Sequence, residues 1–289
     1  MSQAADTLAP TRDSLFWRAF RRGLIVYLGR SARKVLLTRA FSGGNDTPRR
    51  FLPNDVRDIM RRVEQDAATL RPIAQLDRLT RSGNRILVEL AILTIAAYRV
   101  LCILGIKKAE ARAAVADIGW DIYAAQLRLA SLPFRLTSRD PAVRLQRSLN
   151  MLLRFPFSAP GAPGYEVRSW SENGSTFTHF THCPPQSFVR DLIAHQGDQG
   201  ELAAFYASWC QYDWPGADII AGDGQRWHYQ RRKTLSAGDS VCDMCWKGQI
   251  DRRVSTPSLS REEQGALPPA KGTPHKTAKA RTLYERGRE

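Results

Sequence analysis

The chain has 289 residues with 43 Lys/Arg against 28 Asp/Glu, a net charge of +15 that would suit a nucleic-acid binder. The excess sits at the ends: residues 1–50 are net +7 and residues 247–289 net +5, which leaves +3 for residues 51–246. A nearly balanced domain offers no basic stripe for phosphates, so no nucleic-acid partner is expected. Five cysteines are too few, and odd in number, for a disulfide scaffold.

The first residues, "MSQAADTLAPTRDSLF", lack the basic start and apolar stretch of a secretory signal, and with the cysteine usage this points to a reducing cytoplasm. "SLFWRAFRRGLIVYLGRSARKVLLTRAF" then places Phe16, Trp17, Phe20, Leu24, Tyr27 and Leu28 on one arc of a helical wheel. Arg18, Arg21, Arg22, Arg30 and Arg33 lie mostly outside that arc. Such a helix has two uses: peripheral contact with an anionic membrane through residues 14–41, or packing of the arc on the domain or on a second copy in a homo-oligomer.

From residue 51 the pattern is helical, with Asn54 as a candidate cap in "FLPNDVRDIM". The run Ile86 to Ile106 is long enough for a transmembrane span, but Glu89 and Arg99 interrupt it, each costing about 2.5–3.5 kcal/mol near a bilayer centre. A buried core helix ending at Gly105, followed by a second helix from about Lys107, accounts for it better.

After Pro156 the character changes. "FSAPGAPG" reads as a loop, and "YEVRSWSENGSTFTHFTHC" as two strands joined around Glu172-Asn173-Gly174-Ser175. "PPQSFVRDLIAH" starts a helix with Pro184 or Pro185 in its first turn. "GELAAFYASWCQYDW" reads as another helix, broken at Pro215-Gly216. "QRWHYQRRKTLSAG" and "DSVCDMCWKG" close as a strand pair. The fold class is therefore α+β: a basic helix and linker (1–50), then one domain (51–250) with a helical part (51–155) and a part carrying a small antiparallel sheet with flanking helices (156–250). Residues 251–289, rich in Pro, Gly, Ser, Thr and Lys, read as a disordered basic tail.

Cys102 falls inside the apolar helix and reads as core. Cys183, Cys210, Cys242 and Cys245 lie within 63 residues. A zinc site would use Cys242 and Cys245, but on an extended strand these project to opposite faces, and Cys183 and Cys210 do not form a second close pair. A thioredoxin-like pair would need a helix N-terminus after a strand. Neither a metal nor another cofactor is expected. Cys183 instead stands before "PPQSFVRDL", where helix N–H groups favour a thiolate, next to His182. Cys210, read as late in its helix, shares a face with Asp213. Taken singly, each cysteine is more simply a small buried hydrophobe.

The order of these pieces is a strand ending in "HC" before Pro, a helix with "CQYD", and a strand with "KTLSAGDSVCDM". It resembles the L-2-amino-thiazoline-4-carboxylic acid hydrolase-like family over roughly residues 85–247. The family's polar signature falls on Cys183, Cys210, Asp213, Thr234, Gly238, Asp239, Cys242 and Asp243. Met244 stands where the family usually has Phe, and Cys245 is additional. The resemblance implies a small-molecule substrate and hydrolytic opening of a cyclic amidine-like C–N bond. Cys183 would attack, with Cys210 as the alternative nucleophile. Asp213 would bind the protonated exocyclic nitrogen, and His182 or a second thiol such as Cys242 would protonate the departing nitrogen. His182, Thr234, Asp239 and Asp243 would contact substrate. The alternative is a non-catalytic small-molecule-binding or sensory module on the same scaffold.

Overall fold

The computed structural model describes residues 15–42 and 48–249. The tail predicted as disordered, residues 251–289, lies outside them. Helix α1 (Leu15–Thr38) leads to two short paired strands, β1 (Phe41–Ser42) and β2 (Pro48–Arg49). Helix α2 (Pro53–Ala74) starts with Pro53 in its first turn, a position where the missing N–H costs nothing. Its cap is not Asn54. The Asp55 carboxylate accepts the Leu52 N–H at 2.7 Å, while Asn54 lies inside the first turn and accepts from Arg57.

Helix α3 (Ser82–Ile103) is the apolar helix of the sequence, and it is mostly buried. Among the described residues it is the one helix long and apolar enough to cross a membrane, and 61% of that window is covered by the protein itself. Its two charges explain why it sits in a core. Glu89, fully buried, accepts both Nε (2.9 Å) and Nη2 (2.7 Å) of Arg71 from α2 on Oε1, and Arg21 of α1 lies 3.3 Å from Oε2. Gly105, at φ +82, ends the segment, and α4 (Lys108–Thr137) begins just beyond Lys107. Arg99 donates to Glu201 at 2.8 Å, at the start of α7 (Glu201–Ser208), which follows α6 (Pro184–Gln196).

The arc of α1 predicted from the helical wheel turns onto the protein's own domain: α1 packs on α2 and α4, with Trp17, Leu28, Ala32 and Leu36 buried. Tyr27 departs from the arc and stays 38% exposed.

Helix α5 (Pro141–Arg154) is capped by Asp140, whose Oδ1 accepts the Ala142 N–H at 2.8 Å. Strands β3 (Glu166–Glu172) and β4 (Ser175–His182) then form the predicted hairpin. Asn173 (φ 49) and Gly174 (φ 71) both take left-handed conformations, as a two-residue turn matched to strand twist requires. With β5 (Tyr229–Gln230) and β6 (Cys242–Lys247) they make an antiparallel sheet in the order β3-β4-β6-β5. The architecture is thus α+β, a helical N-terminal half followed by a small sheet with helices beside it.

One element differs from expectation. The helix after Gly200 ends at Ser208, residues 209–212 form a turn, and α8 (Asp213–Ala221) carries Pro215 and Gly216 in its first turn. Proline is tolerated in a first turn because its N–H has no intrahelical partner there. The break therefore falls at residues 209–212, ahead of Pro215, and sets Cys210 in a turn between helices, not late in one.

The Glu89 cluster yields a stability prediction. Glu89→Ala strands two arginines at the helical interface and is expected to lower the unfolding free energy in urea by about 3–5 kcal/mol. Glu89→Gln, which keeps the volume and an acceptor, should cost less. A loss below about 1 kcal/mol for Glu89→Ala would mean the cluster behaves as a solvated surface pair.

Candidate active site

Two of the four clustered cysteines, Cys210 and Cys242, contact one short loop, and Cys183 packs beside Cys242. Cys242, first residue of β6 and buried, accepts the Leu235 N–H on its sulfur at 3.3 Å and lies 3.5 Å from Thr234 Oγ1. Cys210, in the turn before α8, has its sulfur 3.3 Å from Ser236 Oγ. The Leu235 carbonyl accepts from Gln186 Nε2 (3.3 Å) and Arg190 Nη2 (2.9 Å) of α6, the helix that follows Cys183. Cys183 itself caps the start of α6 in extended conformation and packs with Tyr165, Phe180 and Cys242, and the Tyr165 hydroxyl bonds to its sulfur. Cys183 and Cys210 keep some solvent-accessible surface, although protein atoms surround them densely.

Cys245 is excluded from this group by strand geometry. It pairs with Phe177 of β4, on the sheet face that carries the Trp170–Phe177 stack, while Cys242 pairs with Phe180 on the core side. The C-x-x-C sulfurs therefore lie on opposite faces and cannot close on a single ion.

The charged part of the site is an ion pair between a buried guanidinium and a half-buried carboxylate. Asp213, first residue of α8, accepts the Tyr229 hydroxyl at 3.2 Å on Oδ2, which also lies 3.7 Å from Arg231 Nη1. The Arg231 side chain is 3% exposed and its guanidinium stacks over Trp214 at 4.7 Å. Sequence reasoning missed Arg231, Tyr229, Tyr165 and Ser236. In "QRRK" nothing marks which of three consecutive basic residues turns inward; only the packing on Trp214 does.

Burial pushes the Asp213 carboxyl up to about 6, against the pull of Arg231 and the Tyr229 hydroxyl. Burial likewise pushes the Cys210 thiol up to about 11, with Arg231 as the main opposing influence. Cys183 is raised further by burial, and the Gln186 N–H at the helix start only partly opposes this. Burial works against the Arg231 charge, yet Tyr229, Cys210 and Asp213 around it hold its pKa above the ordinary value. At neutral pH the site therefore holds a fixed cation, an ionised carboxylate, and protonated thiols at Cys183 and Cys210.

The remaining predicted site residues serve other ends. Asp239 Oδ2 accepts the Thr234 N–H at 2.7 Å, and Asp243 Oδ1 accepts the N–H groups of Arg232 (2.9 Å) and Lys233 (2.6 Å). Thr234 Oγ1 accepts the Ser236 N–H at 3.4 Å, and Gly238 closes the turn at φ +98. These residues shape the loop that holds Ser236 against Cys210 and Leu235 against Cys242. His182 is committed elsewhere: Nδ1 lies 2.6 Å from the Gly164 carbonyl and Nε2 3.1 Å from Ser187 Oγ, on the wall of a hollow of about 260 Å³ with Arg78 and Asp191. Among the described residues no group of three or more His, Cys, Asp or Glu side chains is arranged to hold a metal ion.

No family model, curated protein or solved structure matches the chain. The likeness to the aminothiazoline carboxylate hydrolases therefore rests on the sequence motifs quoted above.

The raised Asp213 carboxyl carries a pH signature. An acid whose folded pKa lies above its unfolded value holds its proton longer in the folded state, so stability falls as pH rises from about 4 to about 6. Asp213→Asn removes that loss. Relative to wild type the variant should gain up to about 3 kcal/mol between pH 4 and pH 7, a two-unit shift at 1.36 kcal/mol each. Denaturant titrations at several pH values read this, and a constant difference across the range would contradict it.

Proposed function

We propose that the protein hydrolyses a C–N bond of a small cyclic amidine-like substrate, of the 2-aminothiazoline carboxylate type, with a cysteine as nucleophile. The observation that carries this reading is the gathering of Cys183, Cys210 and Cys242 with the Asp213–Arg231 pair around the loop 231–243. It joins a nucleophile, a carboxylate suited to an amidinium nitrogen, and a fixed cation in one place.

Cys210 is the better nucleophile of the two accessible thiols. It sits beside Arg231, and burial raises it less than Cys183. Its sulfur also lies 3.3 Å from the Ser236 hydroxyl, which can donate to a thiolate. An amidinium bound to Asp213 adds further positive charge and lowers the cost of forming the thiolate.

In the first step the thiol proton passes to Asp213, and the sulfur forms a bond to the amidine carbon. Collapse of the tetrahedral adduct breaks the ring C–N bond, and the ring nitrogen leaves with the proton that Asp213 took up. Water then attacks the sulfur-bound carbon. The thiol departs protonated, and the carbon is released as a carbamoyl group.

The competing reading is a ligand-binding module without turnover, favoured by the burial that raises the Cys183 and Cys210 thiols. Incubation with 2-aminothiazoline-4-carboxylate, followed by mass spectrometry, separates the two. The enzyme reading expects a product heavier by one water, with turnover reduced by about 10³-fold or more in Cys210→Ser and less in Cys183→Ser. Ligand protection of the thiols with no product would favour the module. Full turnover in Cys210→Ser would overturn the choice of nucleophile.

A further inference from the structure

Because the apolar arc of α1 is spent on the domain, the face it leaves outward is basic. Helix α1 has no acidic residue. Of its cations, Arg21 turns inward to Glu89 and Lys34 pairs with Asp121 at 2.6 Å. Arg18, Arg22, Arg30 and Arg33 are exposed. Arg30 and Arg33 line a hollow of about 300 Å³ between α1 and the start of α2, with Arg57 across from them and Val26, Val56 and Met60 in its wall. No carboxylate lines this hollow among the described residues. On α2, Asp58 pairs with Arg61 at 2.9 Å and Asp55 accepts the Leu52 N–H, while Glu64 lies exposed one turn beyond Met60 and outside the lining. Val26, in the wall of the hollow, is 58% exposed, and Leu52, which precedes Pro53 of its lining, is 65% exposed.

We infer that this face is a docking surface for an anionic lipid membrane, with phosphate headgroups meeting Arg30, Arg33 and Arg57. The charge complementarity is one-sided and the apolar residues beside it are isolated, so attraction to anionic headgroups dominates over insertion. The contact differs from the one the helical wheel suggests. The arginines meet the membrane, while Trp17 and Leu28 of the arc stay buried in the domain. Each basic residue near an anionic surface strengthens binding by about fivefold at low salt, from about 1 kcal/mol apiece. The effect is screened as the Debye length shrinks from about 10 Å at 0.1 M to about 3 Å at 1 M.

The test is sedimentation of the full chain with vesicles of phosphatidylcholine alone and of phosphatidylcholine with phosphatidylglycerol. Binding is expected only to the anionic vesicles and should be lost on raising the salt from about 0.1 M to about 1 M. The double variant Arg30→Glu/Arg33→Glu should weaken it by about 25-fold or more, with a thermal unfolding curve like that of wild type because both side chains are exposed. Equal sedimentation of the folded double variant would overturn the inference by assigning the binding to other basic segments. Tighter binding to a short DNA duplex than to the anionic vesicles would assign the face to nucleic acid. Binding of inorganic phosphate with no vesicle binding would reduce it to a small-anion site.

Discussion

The structure depends on two paired charges set into its most apolar helix. α3 packs on α2, α4, α6 and α7, and a helix apolar on nearly every side has little to fix its rotation or register. Glu89 and Arg99 supply both. Glu89 takes Arg71 from α2 and Arg21 from α1, while Arg99 takes Glu201, whose Oε2 also accepts the Gln199 N–H at 2.6 Å. A charge left unpaired at such depth costs far more than a misplaced methyl group, so these contacts reject alternative registers. The consequence reaches the site: the Trp209 indole donates to Thr94 Oγ1 of α3 at 3.2 Å, which pins the turn that presents Cys210.

Around the thiols the same logic runs at smaller scale. Arg231 is kept inside by the Asp213 carboxylate and the Trp214 ring, and its charge is the chief influence holding Cys210 below the pKa that burial alone would give. At rest Cys183 and Cys210 are protonated where chemistry would need an anion. In the proposed reaction an incoming cation supplies the missing stabilisation, so thiolate formation is coupled to substrate binding. That coupling would protect three adjacent thiols from indiscriminate alkylation.

Much of the fold was legible in the sequence where one local rule acts alone. Asn173-Gly174 specifies its turn through backbone conformation, Pro184 marks a helix start, and period-two alternation separates Cys242 from Cys245. Features decided by long-range contacts were not legible. The helical wheel of α1 gave the buried arc, but nothing in it names what the arc meets. The break between α7 and α8 was misplaced because Pro215 is a breaker in mid-helix and innocuous in a first turn. His182 was adjacent to Cys183 in sequence, yet neighbours at a strand end diverge, and its ring reaches Gly164 and Ser187 instead. Arg231 could not be told from Arg232 and Lys233 without seeing Trp214.

The central claim is that Cys183, Cys210 and Cys242 form one ligand-responsive site from which Cys245 is separate. Per-cysteine alkylation by iodoacetamide, with and without 2-aminothiazoline-4-carboxylate and read by peptide mass spectrometry, tests it most directly. Ligand is expected to change the labelling of Cys210 and Cys183 together and to leave Cys245 unchanged. A ligand effect confined to Cys245 or Cys102, with Cys183 and Cys210 unaffected, would contradict it.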